Sequence, residues 1–148
     1  MSWKILRPQV EEVLKTITTL QEISRAPKIK FDGYPAAHIL PSENSGDYET
    51  TTENIRTYAF TVRAFYETKQ TTIEKALLAL EEVVDSIIDT FDREDLKGGS
   101  TRKLGINLPE GYTFINIFAS PGAWGELTDE QLVMAEITVK VRISIDIT

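Results

Sequence analysis

The chain has 148 residues, 41% of them hydrophobic and 26% charged, with a formal net charge of −7, no cysteine and a single histidine, His38. That length suits one domain able to bury roughly 68–70% of the surface its unfolded form exposes, and the composition fits neither disorder nor a membrane-embedded chain. The lack of Cys excludes thiolate catalysis, Cys-ligated zinc and disulfides, and the acidic balance argues against gripping a nucleic-acid backbone, which draws on clustered Lys and Arg.

The first residues, MSWKILRPQVEEVLK, hold no long apolar core with a cleavage site behind it, so synthesis in the cytoplasm without membrane contact is expected. Trp3, Leu6, Val10, Val13, Ile17 and Leu20 recur at steps of three and four, which predicts a helix with one apolar face to about Ser24. Pro8 permits two starts, one near Ser2 with a kink and one near Arg7 with the proline in the first turn. Residues 28–31 and 36–40 are β-compatible on either side of Asp32-Gly33 and Tyr34-Pro35, which predicts a small hairpin. Residues 42–54 are polar around Gly46 and read as a loop or the tip of a long hairpin.

Tyr58, Phe60, Val62, Ala64 and Tyr66 then alternate with Thr57, Ala59, Thr61, Arg63 and Phe65, the period of a strand. Thr71 and Glu74 form a capping-box pattern ahead of Ile73, Ala76, Leu77, Leu80, Val83, Val84, Ile87, Ile88 and Phe91, which predicts a helix of about 20 residues, roughly 30 Å long. Between Asp92 and Tyr112 periodicity disappears among Gly98, Gly99, Gly105, Pro109 and Gly111, and unstructured loops of that length are usually functional or disordered. A strand over 113–119, a turn at Ser120-Pro121-Gly122 and a long strand over 132–147 complete the chain.

In the last strand Val133, Ala135, Ile137, Val139, Val141, Ile143, Ile145 and Ile147 face one way, while Glu136, Thr138, Lys140, Arg142, Ser144 and Asp146 face the other. A sheet with one wet face makes the fold class α+β, a mainly antiparallel sheet with two principal helices packed on one face, in a single domain over 1–148. Drawn out at about 3.3 Å per residue, that strand spans roughly 53 Å, against a globule roughly 38 Å across. Either a bulge breaks it, or its end leaves the domain and offers an open edge to a neighbouring chain.

Few residues carry a chemical signature. His38 near Asp32 suggests an acid–base pair, but no Ser or Cys nucleophile motif accompanies it, and a structural role is expected. Asp85, Asp89 and Asp92, with Glu94 and Asp95, lack the loop spacing of a calcium site and read as a solvated helix face. Gly98-Gly99-Ser100-Thr101 lacks the lysine of a phosphate-binding loop and reads as a hinge or flexible tip. No catalytic residue, metal or cofactor is therefore expected. Trp124, placed between two glycines in the turn segment, either folds back on its own core or anchors a subunit contact. Lys97, Arg102 and Lys103 form a local basic cluster that serves either solubility or an acidic partner. With these, Tyr48 in the polar loop and Ile145 and Ile147 at the end of the last strand complete the set of candidate interface residues.

The order of these parts, with GYPAAHILPS ahead of the polar loop and ENIRTYAFTVRAFYE ahead of the long amphipathic helix, resembles the tail terminator, or tail-completion, proteins of long-tailed, non-contractile bacteriophages over essentially the whole chain. The resemblance implies a non-enzymatic virion subunit in a homohexameric ring that caps the tail tube and stops its polymerisation. The partners implied are further copies of the chain, the major tail tube protein, a head-completion (neck) protein, and DNA only in passage through the lumen. The place implied is the head–tail interface of the virion, reached from the host cytoplasm. Two other readings stay open: a different neck or tail-assembly component, and a small-molecule-binding or enzymatic α+β domain limited to carboxylate, Tyr and Lys chemistry.

Overall fold

The computed structural model describes residues 2–28, 30–48, 53–69, 71–96 and 110–146. Helix α1, Ser2–Lys15, starts at the earlier of the two expected positions and keeps Pro8 inside it. Pro8 is exposed, so water can take the place of the donor it lacks. The helix ends well before Ser24. Thr16 donates its hydroxyl to the Val13 carbonyl at 2.6 Å, and Thr16-Ile17-Thr18-Thr19 brings β-branched residues together at that point. Ile17 and Leu20 stay buried in the turns that follow, which is why the apolar period outlasts the helix.

The chain then forms β1, Glu22–Ser24, and after a loop β2, Ala36–Tyr48. Lys28, Lys30 and Phe31 lie outside any strand, so the expected small hairpin is not found among the described residues. Instead β2 pairs in parallel with β1 through Ala36, Ala37 and His38, and antiparallel along its whole length with β3, Glu53–Glu67. Of the two readings of 42–54, the described part takes the second, with Tyr48 opposite Asn54 near the end of a long hairpin.

Helix α2, Ile73–Leu96, is capped by Thr72, whose Oγ1 accepts from the Lys75 amide at 3.2 Å. The cap is therefore one residue later than expected, and with Lys75 at the third position it is a threonine cap without the reciprocal carboxylate of the expected Thr71–Glu74 box. Strand β4, Tyr112–Leu127, runs straight through Ser120-Pro121-Gly122, where a turn was expected. Register shifts at Phe114/Asn116 and Pro121/Trp124 absorb the irregularity. Proline is tolerated because β4 lies at the sheet edge, and a Cβ at Gly122 would sit 3.1 Å from the Glu136 carbonyl oxygen, so a glycine suits the close approach. A short 3₁₀ turn, Thr128–Glu130, leads into β5, Leu132–Asp146.

The sheet order is β1-β2-β3-β5-β4, all antiparallel except β1 with β2, which makes the fold α+β. Strand β5 is thus interior. It pairs with β3 from Leu132 to Asp146 without a shift and with β4 on its other side, so the expected open edge at the last strand is not there. The length tension resolves differently: β2 to β5 are all 13–16 residues long, and the sheet as a whole is elongated. Both helices cover one face, with Leu6, Val10 and Leu14 of α1 and Ala76, Leu80, Val84, Ile87 and Phe91 of α2 packed on Ile39, Phe60, Val62, Ile137, Val139 and Val141.

Candidate functional site

On the helix-free face, His38, Arg63 and Glu136 stand side by side across β2, β3 and β5. His38 is almost fully buried. Its Nδ1 lies 2.9 Å from the Lys28 carbonyl, and its Nε2 lies 3.4 Å from an Arg63 guanidinium nitrogen. Arg63 Nε donates to Glu136 at 3.0 Å. A neutral ring that donates from Nδ1 and accepts at Nε2 satisfies this chain, so the expected structural role of His38 fits its surroundings. The Asp32 amide donates to Glu22 instead, and no bond between Asp32 and His38 occurs among the described residues.

Burial pushes the His38 imidazole below its usual range, the Lys28 contact opposes this, and the neighbouring Arg63 charge adds to it. The unfolded chain then takes up the proton first, near pH 6.5, while the folded chain resists it. Stability should be fully present above pH 6.5 and fall as the pH drops below it. Thermal melts between pH 7.5 and 5 test this: the midpoint should decline in the wild type and stay flatter in His38→Gln. A wild-type midpoint that stays level across that window would refute the assignment.

Beside this row a cleft of about 370 Å³ is lined by Pro27, Lys28, His38, Arg63, Phe65, Leu127 and Met134. No Ser, Thr or Cys lines it, and among the described residues no group of His, Cys, Asp and Glu is placed to hold a metal ion. Further along the same face, Lys140 and Arg142 are partly exposed, and no ion pair joins either of them to another described residue. The acids Asp85, Asp89 and Asp92 are exposed on α2, as a solvated face requires.

The apolar surface concentrates on edge strand β4. Ile115, Phe118 and Trp124 are three of the five large hydrophobic residues left exposed among those described, the others being Ile73 and Leu78 on α2. Trp124 belongs to a strand and not a turn. It sits opposite Ala135 on the helix side yet is 43% exposed, at the margin of the core. Phe118 sits opposite Lys140 on the helix-free side. Sequence reasoning singled out Trp124 and missed Ile115 and Phe118, because 113–119 is apolar without a clean alternation and a register shift at Phe114/Asn116 falls within it.

The other candidate interface residues are scattered or undescribed. Ile145 is paired on both sides and packs against the core. The backbone of Tyr48 ends β2, but its side chain lies outside the described residues, as do Lys97, Arg102, Lys103 and Ile147.

No family model matches the sequence, and no curated protein matches it. The fold is similar to that of a chain in the solved structure of the virion of a native gene transfer agent particle, with a TM-score of 0.60 over 95% of this chain and 92% of that one, at 10% sequence identity. At that identity the likeness is one of fold, and it extends over nearly the full length of both chains.

Proposed function

We propose that this chain is a non-enzymatic virion structural protein that assembles into a ring, caps the tail tube, stops its growth and presents a surface to the neck proteins. The observation that carries the reading is the fold shared end to end with a chain of a virion particle. The tail terminator resemblance of the sequence supplies the specific role. The surface agrees with an assembly function, because a long edge strand bearing Ile115, Phe118 and Trp124 is a liability for a protein that stays alone. The acidic balance suits a lumen through which DNA slides without sticking. Lys97, Arg102 and Lys103 belong to the proposed contact surface, as do Tyr48 and Ile147, while Ile145, paired on both sides and packed against the core, drops out of it.

The test is tail length. Phage lacking the gene should make tail tubes of uncontrolled length that fail to join heads, seen by electron microscopy, and restoring the gene should restore uniform tails. Tubes of normal, uniform length without heads attached would assign the protein to a later neck step. Normal, infectious particles would refute a virion role altogether.

A further inference from the structure

Two exposed large hydrophobic residues lie on opposite sides of the molecule, each among charges mainly of one sign. On α2 the core side is Ala76, Leu80, Val83, Val84, Ile87 and Phe91, and the outer side carries Leu78, 56% exposed. Glu74, Glu81, Glu82 and Asp85 stand three, four or seven residues from Leu78, so they share its face with one base, Lys75, and all five are exposed. On the helix-free face of the sheet, Phe118 is 40% exposed, opposite Lys140 and diagonal to Arg142. The first patch is apolar with a border of four acids and one base, acidic on balance. The second is apolar and flanked by bases that no described residue pairs.

We propose that the outer face of α2 in one copy docks on the helix-free sheet face of the next copy, Leu78 against Phe118, with Glu74, Glu81 and Asp85 meeting Lys140 and Arg142. The occupant is a second copy of this chain because both halves of a charge-complementary contact are present on one subunit. A protein with a net charge of −7 otherwise repels itself. The two patches differ and face opposite ways, so the contact is head to tail, and such contacts close into rings where the rotation permits. This rests on the ring reading above and names the surface that would build the ring.

The experiment compares assembly of wild type, of the pair Lys140→Glu and Arg142→Glu, of the pair Glu81→Lys and Asp85→Lys, and of all four together, by sedimentation and native mass spectrometry. Circular dichroism checks that each variant is folded. Each pair alone should raise the concentration needed for assembly by about tenfold or more, and the fourfold variant should recover most of that loss. Mixing the two paired variants should give assemblies containing them in equal numbers, alternating, since each then meets an opposite charge. Leu78→Ser and Phe118→Ser should each weaken assembly without lowering the melting temperature. Paired variants that assemble like wild type would sink this contact while leaving the ring reading intact. A defect that the fourfold variant does not repair would sink it too. A wild type that stays monomeric at all concentrations would overturn the contact together with self-assembly. Binding of a short DNA duplex that is lost in Lys140→Glu and Arg142→Glu, with assembly unaffected, would make nucleic acid the occupant instead.

Discussion

Replacing Phe60 by alanine should cost about 3–5 kcal/mol of folding stability, the range for emptying a fully buried aromatic site. Phe60 is 0% exposed on β3, which lies between β2 and β5, with Pro41 and Val139 opposite it. Trp3 packs edge-to-face on it, with ring centroids 5.2 Å apart, and makes the same kind of contact with Tyr58 at 4.9 Å. The substitution therefore opens a void and also loosens the first turn of α1, for which Trp3 is an anchor. Urea unfolding followed by circular dichroism measures the loss. A cost under about 1 kcal/mol would mean that α1 settles into the space and the site is far more plastic than a packed interior allows.

Trp124→Ala should do the reverse, sparing the monomer and damaging assembly. At 43% exposure this side chain contributes much less to the monomer than Phe60 does. If Trp124 anchors a neighbouring subunit or the tube, its removal should weaken assembly by about 2 kcal/mol, roughly thirtyfold. Paired measurements of unfolding and of assembly concentration separate the two effects. A monomer destabilised by about 3–5 kcal/mol would show that Trp124 belongs to its own core after all.

What could be read from the sequence divides by the range of the interactions involved. Helix α2 was legible because its apolar positions and its threonine start are local. The cap moved from Thr71 to Thr72, and the helix runs on past Phe91 to Leu96, into the stretch where the apolar period has faded. The end of α1 was not legible, since Ile17 and Leu20 keep the helical period while serving a turned segment. Pro121-Gly122 has the composition of a turn, and only the presence of β5 alongside makes it a bulge in an edge strand. Strand order is wholly non-local. No pattern within 132–147 tells whether that strand lies inside the sheet or at its edge, and the same ignorance hid Ile115 and Phe118, whose exposure follows from β4 being the edge.

The interior position of β5 governs how the molecule can be made. β3 and β4 both hydrogen-bond to it, and it follows every other described element. Until it emerges, β3 lacks a partner on one side and β4 has none, so a nascent chain carries one half-paired and one unpaired long strand, both rich in aromatic residues. Pairing Glu53 with Asp146 closes a very long loop, and such topologies fold slowly. A chain held at this stage would offer those strand edges to other chains, a route to aggregation. Premature termination a few residues into β5 would therefore leave two strands unjoined, and its product should reach the insoluble fraction before it reaches a tail.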